Sequence, residues 1–502
     1  MPSMRHQVSD SPLYAVIDLG SNSFHMLITR LVADGVQTVD KVKRKVRLAS
    51  GLNQSNQLSE AAILRGLECI SFFAERLQDI APENIRIVAT ATLRIATNAD
   101  DFLNRAAKVL GQEVTLLSGI EEAERIYLGV AHTSECSDKR LVLDIGGAST
   151  EIVVGEQFDI HQATSLNMGC VTFKQKFFVH GELTEQRFTN AIAHAQSELL
   201  PLLTPYTGFG WQTVLGGSGT MQALAEILMY RQQPAIITLG LMEEIKSQLI
   251  ACGQIEEIDI PGLTSDRSPV IASGVSILIA LFKSFNIDSL QLSSGALREG
   301  LLYEMLPDMR KQPIRQRTID SLTERFHIDT AHANRVKQQA LHLFDIYAPS
   351  WKIADKNLRQ LLASACKLHE VGLLLSFKYH QRHGAYILQQ ADLPGFDQTE
   401  RQLLVTLVSQ YKGDIDPKTL SSLAIVTHDE AARLLVILRL AIILCRRRQD
   451  DVLPQYKTQV VEQEIQLCLP PQWLTDHPLI SDELLQESAH LQQVGLSLVI
   501  SC

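Results

Sequence analysis

The chain has 502 residues, 46 Lys and Arg against 56 Asp and Glu, a net charge of −10, and a hydrophobic share of 45%. At about 100–200 residues per domain that length predicts three or four domains, and the composition excludes a disordered chain. The acidic balance excludes holding a nucleic-acid polymer through a basic charge field, so any anionic ligand needs a local site.

From the N-terminus, Met1–Tyr14 is polar and lacks the apolar stretch of a secretory signal. Tyr14–Leu19 reads as a buried strand that ends in the tight turn Gly20-Ser21-Asn22-Ser23, and Phe24–Arg30 resumes a strand to close a hairpin. Lys41–Arg47 alternates as a strand, with Lys41, Lys43, Lys45 and Arg47 on one face. Those cations either track a polyanion or mark a charged edge strand that discourages aggregation. Ser59–Leu77 and Ala99–Leu110 read as helices, with a strand at Ile85–Ala89. Ser118 and Glu121 are spaced as a capping box at the start of a helix carrying Ile126 and Val130.

Leu141–Ile145 is a second apolar strand, ending in Gly146-Gly147-Ala148-Ser149-Thr150, and Glu151–Val154 again completes a hairpin. Val214 and Leu215 lead through Gly216-Gly217-Ser218-Gly219-Thr220 into a helix over Met221–Tyr230. This alternation indicates an α/β protein. The two Asp-bearing hairpins, 126 positions apart, read as equivalent turns of two similar domains, residues 1–133 and 134–312, flanking a cleft. Helical patterns then fill 313–448, an all-α domain, and 449–502 forms a small α+β appendage with a strand near Glu464–Leu469.

The apolar runs Val270–Phe282 and Leu434–Cys445 are short for a bilayer span, and the second carries Arg439. Eight cysteines without a CxxC pair form neither a disulfide framework nor a zinc cluster. Reduced and mostly buried thiols are expected, in a cytoplasmic protein with no membrane partner.

Turns of Gly, Ser and Thr suit phosphate, because small side chains let backbone N–H groups converge on an anion. Each turn follows a strand-end aspartate, Asp18 or Asp144, and a carboxylate beside a phosphate is repulsive unless a cation lies between. Mg²⁺, which takes one or two carboxylates plus phosphate oxygens and keeps several waters, resolves that conflict, and Glu151 is a further direct or water-mediated ligand or else an exposed strand carboxylate.

The segments Asp18–His25 and Asp144–Glu151, with Thr90–Arg94, Ser118–Ala123, Gly216–Thr220 and Ser294–Gly300, resemble the exopolyphosphatase/guanosine pentaphosphate phosphatase family. The resemblance implies two actin-like (ribonuclease H-like) ATPase-type domains, an HD-like helical domain, and a homodimer. It implies hydrolysis of a terminal phosphoanhydride by water, with guanosine pentaphosphate or polyphosphate as substrate and Mg²⁺ as cofactor.

The family's catalytic glutamate falls on Glu122, which agrees with Glu121 having a capping task. Arg94 falls near the transferred phosphate, and Gly217, Ser218 and Arg267 on phosphate or nucleotide contacts. In the helical region Glu370 stands where the HD-type site has aspartate, and Ile442 where it has a carboxylate. A catalytically silent domain is therefore expected, with His342, His369 and His383 structural and Arg446-Arg447-Arg448 serving a helix C-terminus or a substrate channel. An actin-like kinase or chaperone ATPase, and a non-catalytic alarmone or polyphosphate sensor, are the competing readings.

Overall fold

β-Branched and apolar runs at both Asp-bearing motifs fold as hairpins in the computed structural model, which describes residues 11–134, 139–310, 312–353 and 355–501. The first ten residues of the polar N-terminal segment, Cys136 and Cys502 lie outside the described residues. Contacts divide the chain into two units, Met1–Ile314 and Arg315–Cys502.

The first unit contains two sheets built on one plan. In the first, β1 (Leu13–Leu19), β2 (Ser23–Val32) and β3 (Gly35–Lys45) are antiparallel neighbours. β4 (Ile85–Ala89) and then β5 (Thr115–Leu116) add in parallel on the other side of β1, giving the order β3-β2-β1-β4-β5. The second sheet repeats this with β6 (Lys139–Ile145), β7 (Thr150–Glu156), β8 (Asp159–Leu166), β9 (Thr213–Gly216), β10 (Ile236–Thr238) and β11 (Ser289–Leu292). Its order is β10-β11-β9-β6-β7-β8, the same arrangement with one antiparallel edge strand added.

The central strands of both sheets are buried on two faces, whereas β3 and β8 are not, and the two-residue period of a strand sorts their side chains. Ala15, Ile17 and Leu19 enter one outer core, as do Ile85, Ile87 and Ala89. Leu141, Leu143, Ile145, Ile152 and Val154 enter the other. The intervening Val16, Val88, Val142 and Val153 join a middle core with the helices Gly119–Thr133 and Leu297–Glu304. Asp18 shares a face with Val16, Asp144 with Val142, and Glu151 with Val153. Strand alternation therefore sends all three carboxylates toward the same central layer.

The two helices of that layer cross almost backbone to backbone. A Cβ on Gly300 would lie 1.7 Å from the Arg125 carbonyl oxygen, and one on Gly129 would lie 2.0 Å from that of Ala296. Only glycine allows this approach, and it fixes the N-terminal turns of both helices relative to the two sheets.

Several expectations change. β3 ends at Lys45, and Arg47 has a left-handed backbone (φ 53°), so it does not continue the alternation of Lys41, Lys43 and Lys45. The reason is local: the Val46 and Arg47 amides turn inward to donate to the Asn22 carbonyl. Arg94 sits on a short helix, Ala91–Ile95, that follows β4. The run around Val270 is an 18-residue helix, Ser268–Phe285, long and apolar enough to cross a bilayer by those measures alone, and it is packed in the core of the second sheet. Among the described cysteines Cys69 and Cys366 are buried, Cys170, Cys252, Cys445 and Cys468 are partly so, and all six are free thiols.

In the second unit, long helices including Thr330–Trp351, Lys356–Leu368, Gln398–Gln410 and His428–Leu444 share one core with a three-stranded sheet. That sheet, β12 (Lys457–Val461), β13 (Glu464–Cys468) and β14 (Ser497–Ser501), contributes Ile465, Leu467 and Leu498 to it. The chain beyond residue 448 is thus keyed into the helical core. Arg439, 2% exposed, donates to Glu487 at 2.6 and 2.8 Å and ties the helix His428–Leu444 to Pro478–Gln492. A charge that excluded a membrane reading of Leu434–Cys445 therefore forms a buried ion pair.

Gly300→Ala forces the two central helices apart, with an expected cost of about 1–3 kcal/mol. Its first thermal transition should fall by several degrees, and an unchanged melting curve would contradict the close crossing.

Candidate active site

Three strand carboxylates and one helix carboxylate meet in the central layer of the first unit. Ser118 caps the helix Gly119–Thr133: its hydroxyl accepts from the Glu121 amide at 3.2 Å, and Glu121 accepts from the Ser118 amide at 2.8 Å. The capping box is complete, and Glu122, one residue further around the helix, is turned inward and 8% exposed. Arg94 Nη1 donates to its Oε2 at 2.5 Å and to the Leu117 carbonyl at 3.1 Å.

The four carboxyls raise one another's proton affinity. Burial pushes Asp18 and Asp144 each up to about 7, and the Glu122 charge adds to both. Burial also raises Glu151, 2% exposed, well above the usual range, with further contributions from Glu122 and Asp144. Glu122 itself is raised by burial against the opposing pull of Arg94. Glu151 accepts from Ser165 Oγ at 2.8 Å, whereas Asp18 Oδ1 is buried without a hydrogen-bond partner. An orphaned carboxylate oxygen among mutually repelling acids fits a cation, and an all-oxygen donor set fits a hard one. Among the described residues these acids do not gather three donor atoms within 4.8 Å, so a cation here would reach some of them through water.

Two small-residue loops border the acids. In the first, Gly20–Asn22, the Ser21 carbonyl accepts from the Ala49 amide at 2.9 Å and Asn22 from Arg47 at 2.8 Å. In the second, the carbonyls of Gly146 and Gly147 accept from the Cys170 and Val171 amides at 3.0 and 2.9 Å. The loops face each other: a Cβ on Gly147 would come within 2.9 Å of the Ser21 Cβ and 3.7 Å of the Asn22 amide nitrogen. Ser21, Ser23 and Ser149 are buried alongside. Ala148 is also buried, and the Thr150 hydroxyl is committed to the Met168 carbonyl. At the third turn the Gly217 amide donates to the Leu143 carbonyl at 3.4 Å, and Ser218 caps the helix Gly219–Tyr230. The guanidinium of Arg267 lies against the backbone of Gly219, where a Cβ would be 2.1 Å from Nη1.

Sequence reasoning missed Arg298. It lies in the first turn of Leu297–Glu304, 3.4 Å from His25 Nδ1, and its charge opposes the rise in both Asp18 and Asp144. Glu299 accepts from the Ala296 amide at 2.9 Å and marks a helix start, but Arg298 precedes its capping acid whereas Glu122 follows one, so capping geometry does not aim it at the site. His25 is pushed down to about 3 by burial, then by the charges of Arg298, Lys43, Lys41 and Arg267. Burial lowers Lys43 too, with Arg267, Lys45 and Arg298 adding to it, while Lys45 pairs with Asp266. The strand cations, Arg267 and Arg298 therefore form one positive field beside the acids, a combination suited to a polyanion and a cation together.

Asp18 and Asp144 bind protons more tightly folded (about 7) than unfolded (3.8). Their contribution to stability is therefore full below the unfolded value and lost as pH rises through about 7. The metal-free chain should melt lower at pH 8 than at pH 5.5, a gap that added divalent cation narrows and Asp144→Asn reduces. A metal-free melting temperature that is flat or rising over that range would contradict the proximity of these acids.

Residues 27–309 match the Ppx/GppA phosphatase family, and residues 314–488 match Ppx/GppA phosphatase, domain III. The chain is 47% identical over 490 residues to a guanosine-5'-triphosphate,3'-diphosphate pyrophosphatase of Photobacterium profundum, covering 98% of each. It is 46% identical over 490 residues to the protein of that name from Pseudoalteromonas translucida, covering 97% of this chain and 98% of the other. An exopolyphosphatase from Cytophaga hutchinsonii superposes with a TM-score of 0.54 at 26% identity, over 59% of this chain and 98% of that one.

Proposed function

We propose, from the premise that this chain belongs to the Ppx/GppA phosphatase family, that it hydrolyses the terminal phosphoanhydride of guanosine pentaphosphate to the tetraphosphate and phosphate. The observation that carries this reading is the buried Glu122, held by Arg94 among three further acids and beside two facing loops.

A base must take a proton as water attacks phosphorus, and a proton affinity raised by burial moves Glu122 toward that task at neutral pH. In the proposed step Glu122 accepts the proton, the water oxygen bonds to the terminal phosphorus, and the bond from that phosphorus to its bridging oxygen breaks. The bridging oxygen leaves with the rest of the nucleotide. Arg94 positions the carboxylate and offers its remaining N–H groups to the transferred phosphate. The loops Gly20–Ser23 and Gly146–Thr150 bind the phosphates through backbone N–H groups, the turn at Gly217 and Ser218 lets the chain approach them closely, and Arg267 and Arg298 balance the charge further along.

Asp18, Asp144 and Glu151 would hold Mg²⁺, which supplies neutralisation of phosphate charge against these acids. The repeated sheets with a shared central layer support the actin-like reading of the first unit. The helical unit is read as a catalytically silent HD-like domain, and the enzyme as a cytoplasmic homodimer.

Inorganic polyphosphate is the second substrate, favoured by the cations of β3 that continue the positive field past His25. A sensor without catalysis would have no use for a buried, arginine-oriented base.

Purified protein with Mg²⁺ should release phosphate from guanosine pentaphosphate, and Glu122→Gln should lower the rate by about 10²–10⁴-fold while leaving substrate binding intact. Release from polyphosphate alone would move the enzyme to the sister activity. Release from neither, with tight binding, would favour the sensor.

A further inference from the structure

Ser165 joins two parts of the site and has no role in the chemistry proposed above. It lies on β8, an edge strand of the second sheet, directly across from Glu151 on β7. Residues paired across antiparallel strands present their side chains on the same face, so the phase that sends Glu151 to the central layer sends Ser165 there too. Thr164, one position earlier and of opposite phase, instead accepts from the Tyr206 hydroxyl at 2.9 Å. Ser165 Oγ donates to Glu151 Oε1 at 2.8 Å. Its other side meets Gly119, the first residue of the helix that carries Glu122. A Cβ on Gly119 would lie 2.5 Å from the Ser165 Cβ, 2.7 Å from its Oγ and 3.9 Å from Arg94 Nη2. The serine therefore stands where the elements bearing Glu151, Glu122 and Arg94 converge, and glycine is what lets the helix come this close.

Glu151 has a physical need for such a partner. Burial, then the charges of Glu122 and Asp144, raise its proton affinity, and hydrogen bonds from Ser149 and Ser165 oppose that rise. A hydroxyl that donates to a carboxylate favours the charged form, which is the form a hard cation takes as ligand. Carboxylates that ligate a metal are themselves hydrogen-bonded, because a donor on one oxygen orients the group toward the cation.

We propose, resting on the phosphohydrolase reading above, that Ser165 is a positioning residue for Mg²⁺: it holds Oε1 of Glu151 so that the carboxylate turns toward the cation. Its contact with Gly119 sets that ligand against the helix of the base. A hydroxyl that merely packed β8 against this helix would act independently of Glu151, whereas a positioning hydroxyl acts through it.

The full chain, stripped of metal with chelator, is titrated with Mg²⁺, and the concentration giving half the rise in melting temperature is read. The wild type, Ser165→Ala, Glu151→Gln and the double variant are compared, and the transition without Mg²⁺ shows that each is folded. Ser165→Ala should need about tenfold more Mg²⁺, as when the partner of a metal ligand is removed. In the Glu151→Gln background the same substitution should change the requirement by less than about twofold, since the group it acts through is gone. An unchanged requirement in Ser165→Ala, or equal shifts in both backgrounds, would overturn the proposal. Should Glu151→Gln bind Mg²⁺ too weakly to be read, Ser165→Ala against the wild type decides alone. Phosphate release from guanosine pentaphosphate is followed on the same samples. Release by a wild type whose Mg²⁺ requirement does not depend on Ser165 removes this role and leaves the reaction standing, whereas no release at any Mg²⁺ concentration overturns the reaction itself.

Discussion

Four carboxyl groups in one buried layer repel one another, and everything else at the site accommodates that repulsion. Asp18, Asp144 and Glu151 cannot turn away, because each occupies the inward phase of a strand whose other phase is packed in an outer core. Glu122 cannot withdraw either, since its helix is locked against Leu297–Glu304 at Gly129 and Gly300. The burial that raises these acids is therefore built into the layers of the fold, and the proposed Mg²⁺ relieves it where the phosphates bind. Arg94 and Arg298 supply the remaining balance, one holding Glu122 and the other, beside His25, acting with its charge on both strand aspartates.

The repeated sheet plan explains why two loops share one task. Each hairpin carries its aspartate at the same place, before a turn of small residues, and the central layer brings the turns within contact of each other. A single copy would present amides on one side of an anion only. In the proposed role facing copies enclose it, which is what positioning a terminal phosphate for attack by water requires.

Much of this was legible in the chain because it is local. The hairpins follow from apolar runs broken by Gly and Ser, and the separate tasks of Glu121 and Glu122 follow from capping geometry one residue apart. What could not be read depends on distant partners. Arg298 reaches His25 across 273 positions, and nothing around it marks which surface it faces. Gly129 and Gly300 look like ordinary helical glycines until their helices cross. The strands after residue 448 share the helical core through contacts over more than a hundred positions, such as Tyr347 with Thr458 at 2.6 Å, so composition made them look separate. Arg47 left its strand because two amides turned to the Asn22 carbonyl, a loop contact with no sequence period.

The central claim is that these acids and a polyphosphate share the site only with a cation between them. It is tested most directly by titrating Glu122→Gln, in which turnover should be slow enough for binding to be read, with guanosine pentaphosphate in the presence and absence of Mg²⁺. Binding that tightens markedly with Mg²⁺, with Mg²⁺ affinity raised equally by the nucleotide, is the result expected. Equal nucleotide affinity with and without the metal would contradict it.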